Sequence, residues 1–324
     1  MKLTRTSGLA GLSLALTAAC AGPHTAPSPP APPVARIVLP PPGRTLAEEY
    51  PAPASPDEPV RRAVFERINA DRAAEGLAPV AWDEGAARVA GAFCAAQVAE
   101  KTHGHFLRDG VPPYARTGLA GVFGYQAENV ASWSTTAKTF SDTPLTLALS
   151  AHRSMIGETP PDDGHRRTIL DPEATHVGVG WAMEGGRFQI AQEFLARGLE
   201  RVAVGVDERG AAVRVSASAR SPYRVAFVTL AWEALPRPLT AEEASGRTSY
   251  RYPKASLAFV PEGHRDIQIV GVTTEDRIRL GHDRDFEIAY AADGPGLYTF
   301  VFWLARKGED RGRPLGSAVF RAEK

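Results

Sequence analysis

The chain has 324 residues, with 37 basic side chains set against 37 acidic ones, eight histidines and two cysteines. Balanced charge leaves no basic footprint of the kind that nucleic-acid binding requires. The length exceeds a typical single domain and predicts two folded bodies once the N-terminal segments are set aside.

The N-terminus reads Met1-Lys2-Leu3-Thr4-Arg5, followed by an apolar run from Gly8 to Ala19 that ends at Cys20. A basic start, a short apolar core and small residues before a cut site are the marks of a secretory signal over residues 1–19. The run is too short to span a bilayer as a mature helix. Ala18-Ala19-Cys20 also resembles a bacterial lipoprotein signal, in which Cys20 would carry lipid and become the new N-terminus, although Thr17 stands where such signals usually have leucine. Plain secretion with an unmodified Cys20 is the alternative. With Ala21 after the cysteine, the lipoprotein reading implies an outer-membrane or cell-surface location, and otherwise a periplasmic or extracellular one. Thirteen of the 27 prolines fall between Pro23 and Pro59. They favour extended polyproline conformation and oppose helix, so residues 20–57 read as a semi-rigid tether.

A first folded domain is expected over residues 58–198. Pro59 suits a first helical turn. Val60, Val64, Phe65 and Ile68 recur at helical spacing, and Gly76 ends the segment. Asp83 can cap a second helix over about 84–100 whose Ala and Gly content permits close packing. A third spans about 144–158 through Leu145, Leu149, His152 and Met155, with His152 half-buried. Residues 177–182 and 187–194 read as two strands joined by a hairpin turn at Glu184-Gly185-Gly186. Gly178 and Gly180 permit close backbone approach, Trp82 reads as core, and Cys94 reads as a buried structural thiol that has no disulfide partner if Cys20 is lipidated. Helices followed by strands suggest α+β layers.

Residues 199–324 read as β throughout. Alternating or apolar runs lie at 201–206, 212–217, 224–230, 257–260, 267–270, 286–290, 297–303 and 317–320. Seven or eight strands with polar and glycine turns suggest a β-sandwich. Phe302 and Trp303 alternate faces, so one of them enters the core. The run holds no ligand motif.

Several motifs in the first domain occur in the order of a known family. Ile68-Asn69-Ala70-Asp71-Arg72 through Trp82-Asp83 opens the series. Gly104-His105 with Asp109-Gly110 and Arg116 follows, then Ala127-Glu128-Asn129-Val130-Ala131, then Gly164-His165-Arg166-Arg167-Thr168-Ile169-Leu170. Val177-Gly178-Val179-Gly180 and Gln192-Glu193-Phe194 close it. Together they resemble the CAP superfamily (SCP/PR-1-like, the cysteine-rich secretory protein family) in its bacterial secreted form. The departures are Ala127 for a leading glycine, Thr168 for asparagine, and Met155 where an aromatic residue usually precedes Glu158. The resemblance implies an α-β-α sandwich with a cleft and a central set of two histidines and two glutamates, here His105, Glu128, Glu158 and His165.

Two imidazoles and two carboxylates suit a borderline divalent ion, with zinc first and calcium or magnesium as alternatives. Without metal they form a pH-sensitive hydrogen-bonded cluster. Glu128 is open to a second role in tying down its own backbone, Asn129 to loop support, and Arg166 to pairing with an acidic residue. His103 reads as a surface residue, and His176 is left at a strand edge. The chain has neither a Gly-x-Ser-x-Gly elbow nor a His-Glu-x-x-His helix. The favoured reading is a tethered, non-enzymatic binder of an extracellular lipid, cell-wall glycan or other wall component, or protein. A metal-dependent hydrolase or protease in the same cleft is the runner-up, followed by a purely structural envelope protein.

Overall fold

The computed structural model describes residues 3–5, 36–38, 58–206, 212–264, 267–282, 284–309 and 311–323. Cys20 and most of the expected signal and tether lie outside these residues. Two short strands come first, β1 (Leu3–Arg5) and β2 (Arg36–Val38). The first body then runs α1 (Glu58–Ala74), β3 (Ala81–Trp82), α2 (Glu84–Glu100), α3 (Pro113–Leu119), β4 (Tyr125–Ser134), α4 (Pro144–Ile156), α5 (Gly164–Ile169), β5 (His176–Glu184) and β6 (Arg187–Ala196). The second runs β7 (Leu199–Val206), β8 (Ala212–Ala219), β9 (Tyr223–Glu233), α6 (Ala241–Gly246), β10 (Leu257–Pro261), β11 (Ile267–Ile269), β12 (Thr273–Leu280), β13 (Asp285–Ala291), β14 (Gly296–Arg306) and β15 (Arg313–Glu323). An α+β body is followed by a separate β-sandwich, the class that the patterning predicts. No helix among the described residues is long and apolar enough to cross a membrane.

In the first body, strands order as β3-β5-β6-β4, with β3 parallel to β5 and the other pairs antiparallel. The period of two along β5 and β6 sorts side chains onto two faces. Val177, Val179, Phe188, Ile190 and Phe194 pack with Val64 and Ile68 of α1 and Leu147 and Met155 of α4. On the opposite face Ala182 and Ala191 pack with Ala90, Phe93 and Cys94 of α2. The approach of α2 depends on two glycines. A Cβ at Gly178 would stand 2.1 Å from the backbone nitrogen of Ala87, and one at Gly180 would stand 2.1 Å from that of Gly91. Asp83 caps α2 by accepting from the Ala86 N–H at 2.7 Å. Arg72 is fully buried at the end of α1, where it donates to the carbonyls of Ala78, Ile169, Asp171 and Ala174. It thereby pins α1 to the loop between α5 and β5. Trp82, expected in the core, lies half-buried at its rim, edge-on to Phe65 and donating to Glu84.

The second body is a nine-stranded sheet in the order β2-β15-β14-β9-β10-β12-β13-β8-β7. It folds over so that strands which are not ladder neighbours share one core. Phe286 of β13 packs on Phe302 of β14, and Tyr290 on Tyr298. Phe302 is the residue of its pair that enters this core, while Trp303 stays half-buried and donates to Thr229. The polar strand β12 escapes prediction because Ile278 is its one buried residue. Two pieces of the N-terminal segments also join sheets. Ile37 of β2 enters the sandwich core as an edge strand on β15, and β1 pairs with β11. Residues 36–38 are therefore not spacer.

Candidate functional site

The site forms along β4, the edge strand of the four-stranded sheet. Register places Glu128 of β4 directly opposite Glu193 of β6. Two carboxylates side by side on a buried face repel each other, and both are almost wholly inaccessible. Arg116, from α3, supplies one compensating charge. Its guanidinium donates to Glu128 Oε2, lies 3.8 Å from the centre of the Phe93 ring, and reaches the His105 carbonyl at 3.3 Å. A proton supplies the rest. Glu193 Oε2 accepts from Gln126 at 2.5 Å, whereas its buried Oε1 meets no donor. Burial and the adjacent Glu128 push the Glu193 carboxyl well above the usual range, which favours its protonated form. The Glu128 carboxyl is also raised by burial, against the opposing pull of Arg116. With Glu193 protonated, Arg116 and the Glu128 carboxylate balance each other and the buried group is neutral.

His105 completes this group. Its Nδ1 bonds Glu128 Oε1 at 2.8 Å, and its ring meets Tyr250 edge-on with centres 4.9 Å apart. Burial, with the Arg116 charge in support, lowers its pKa to about 4, so the ring is neutral at pH 7. The second pair forms locally. Glu158 follows α4, and its Oε1 bonds His165 Nδ1 at 2.5 Å. Its Oε2 accepts the His165 N–H at 2.9 Å and the Arg166 N–H at 3.4 Å, where the first turn of α5 needs acceptors. Asn129 joins the two regions by donating from β4 to the His165 carbonyl.

All four singled-out residues line one cavity of about 840 Å3, a size that suits a ligand cleft. They stand in it as two separate His–Glu pairs. Zinc centres take three protein ligands when catalytic and four when structural. Among the described residues no three His, Cys, Asp or Glu side chains are placed to hold a metal ion. Both Glu128 oxygens are also engaged, one by an imidazole and one by a guanidinium. The donor set therefore does not fit the expected four-ligand metal centre. Cys94 is free and buried, its thiol pKa raised well above ordinary by burial, with Sγ directed at the Gly180 carbonyl. His152 is fully buried rather than half-buried, bridging Asp71 at 2.8 Å and Gln192 at 3.1 Å. Arg166 pairs with Glu75, His103 is exposed, and His176 bonds Thr175.

Sequence reasoning missed one wall of the cleft altogether. The connection between β9 and β10 crosses from the sandwich to the first body and lays residues 248–252 along β4. The Glu128 N–H donates to Tyr250 Oη at 2.6 Å, and the Gln126 N–H donates to Tyr252 Oη at 2.9 Å. Tyr252 stacks between Tyr114 and Tyr125, and His105 N–H reaches the Arg247 carbonyl at 3.4 Å. Nothing in a Tyr-x-Tyr between two β runs announces this contact. Glu193 and Arg116 were more legible. A glutamate inside the otherwise apolar or neutral run of β6 requires a partner, and Arg116 already stood within a quoted motif.

Residues 65–194 match the profile of the Cysteine-rich secretory protein family, CAP. This segment is a CAP domain. No curated protein matches the chain. Among solved structures, an extracellular protein with an SCP domain from Bacillus anthracis is 22% identical, covering 45% of this chain and 45% of its own, at a TM-score of 0.34. An outer surface protein of Borrelia burgdorferi is 16% identical, covering 43% of this chain and 94% of its own, at 0.35. A structure named NaASP2 with Zn2+ is 13% identical, covering 44% and 83%, at 0.33. The chain thus spans less than half the length of the Bacillus anthracis protein.

Proposed function

We propose that the chain is an exported, envelope-tethered CAP-domain protein whose cleft binds an extracellular lipid, wall component or protein without turning it over. One observation carries this reading. Both imidazoles line a single cavity, each with Nδ1 committed to a carboxylate and neither bonded to a serine, threonine or cysteine. Neutral His105 held this way presents Nε2 as a fixed acceptor. With no hydroxyl or thiol hydrogen-bonded to either imidazole and no convergent metal ligands among the described residues, the pairs are equipped to hold a ligand rather than to cut one. The tether belongs to the same proposal and rests on Ala18-Ala19-Cys20 and the prolines that follow.

The test is retention. Lipid and wall extracts are passed over the immobilised chain and over Thr248→Trp, which fills the cleft from an exposed position. A component held by the first and lost from the second is expected. Equal retention by both, or none above a control protein, refutes the binding role. For the tether, Cys20→Ser is expected to release the chain from membranes, and unchanged membrane association refutes it.

A further inference from the structure

We propose that the strap Thr248–Tyr252, lent by the second domain, makes the CAP cleft a site for a polyhydroxylated ligand of the saccharide class. This rests on the cleft being the binding site and narrows what it takes.

The strap first removes one alternative. An extended peptide binds most readily by adding a strand to an open sheet edge. β4 is such an edge, and its outward N–H groups at Gln126 and Glu128 point toward the cleft. Both are already taken by the phenol oxygens of Tyr252 and Tyr250. The two-residue spacing of the tyrosines matches the two-residue spacing of N–H groups that face one way along a strand. The edge is thus closed to backbone pairing at the point where it meets the cleft, in the manner by which proteins blunt exposed edges.

The lining removes the second alternative. An acyl chain needs a continuous apolar wall. The aliphatic side chains here are Ala127 and Pro161, and the rest of the apolar surface is the rings of Tyr125, Tyr250 and Tyr252, which offer flat faces rather than a channel for a chain. What remains is polar. The Nε2 atoms of His105 and His165, without hydrogen-bond partners among the described residues, stand free for a ligand, and neutral His105, with Nδ1 donating to Glu128, carries a lone pair there. Asp162 adds a carboxylate from an exposed loop, Thr248 and Ser249 add hydroxyls that both give and accept, and Arg167 and Arg251 add donors at the same wall. A dense set of acceptors, donors and ambivalent hydroxyls beside tyrosine rings is met by a ligand offering many O–H groups on a rigid, partly apolar frame. A sugar does so, and the half-exposed Tyr250 gives its ring a face to lie on. The second domain, which carries no ligand motif of its own, then acts on recognition by building this wall.

The experiment uses the purified full chain and calorimetric titration with three probes: a β-linked N-acetylglucosamine oligosaccharide, palmitate, and an unstructured peptide. The oligosaccharide is expected to bind, with Ser249→Trp weakening it at least about tenfold. Asp162→Ala, on an exposed loop, is expected to weaken it by a smaller factor, with thermal unfolding of both variants unchanged. Palmitate or peptide binding that Ser249→Trp abolishes, without oligosaccharide binding, overturns the saccharide class and leaves the cleft as a binding site. Oligosaccharide binding indifferent to Ser249→Trp overturns the role of the strap. If none of the probes binds, the saccharide class falls, and the extract-retention experiment decides separately whether the cleft binds anything.

Discussion

His105–Glu128 and His165–Glu158 are built from the same two groups, with Nδ1 to Oε1 distances of 2.8 and 2.5 Å. The side chains of the first pair are 9% and 0% exposed, and those of the second are 33% and 24% exposed. Burial makes the first pair part of a larger group. Glu128 cannot stay ionised there without Arg116, and Glu193 cannot share the face without its proton. The second pair needs neither, because water screens it and the backbone of α5 supplies donors. Equal chemistry on one cleft wall therefore splits into a rigid, neutral anchor that ties three elements and the strap together, and a locally made, solvent-screened pair at the rim.

The largest difference should appear on truncation. Glu128→Ala strips Arg116 of its hydrogen-bonded counter-ion, leaves Glu193 to ionise in compensation, and empties a buried site, and should cost about 3 kcal/mol of stability. Glu158→Ala removes a solvent-screened hydrogen bond to His165 and a first-turn acceptor, and should cost about 1 kcal/mol. Urea unfolding of both variants measures the gap, and equal losses would erase the distinction between the pairs.

Why only part of this was legible follows from the same residues. Helix α2 was readable because its cap, its small residues and the glycines opposite are local signals that agree. His105, Glu128 and His165 were readable because each sits in a motif, and Glu158 only as what the family resemblance implies, with Met155 standing where an aromatic residue usually precedes it. The strap was not readable. Tyr250 and Tyr252 meet Glu128 and Gln126 across more than 120 positions of chain, through a loop whose composition predicts only a connection. The protonated state of Glu193 was hidden for a different reason. It depends on strand register, which sets two carboxyl groups opposite each other and which periodicity alone does not reveal.

A pH titration sharpens the contrast next. The unfolded imidazole titrates near 6.5 and folded His105 near 4. Between these values the unfolded chain binds the extra proton, so stability contributed by neutral His105 is complete above pH 6.5 and lost as pH falls toward 4. The shift is worth about 3 kcal/mol. The raised carboxyls of Glu128 and Glu193 act with the opposite sign, so the measurement is the difference in pH slope between wild type and His105→Asn. A difference absent from pH 6.5 to 4 would show that His105 is not buried neutral.

Glu193→Gln tests the opposite sign directly. A carboxyl whose folded pKa is raised gives stability that is present below the ordinary value near 4.5 and lost as pH rises through the folded one. The amide keeps an acceptor for Gln126 and has nothing to ionise. The variant should match wild type at pH 4 and become progressively more stable than wild type toward pH 8. A gap that does not widen with pH would mean that Glu193 is ionised in the folded chain.

The smallest effect expected is that of added zinc. A ligand that binds only the folded state raises the midpoint of thermal unfolding in proportion to the logarithm of its concentration over its dissociation constant. His105 and His165 offer one free nitrogen each, Glu128 is shared between an imidazole and a guanidinium, and no third ligand converges among the described residues. Zinc at ten-micromolar order should therefore move the midpoint by less than about 1 °C. A rise of several degrees that disappears in both His105→Asn and His165→Asn would show that the two pairs close on a shared ion. The rim pair would then no longer be the independent, screened unit that its exposure describes.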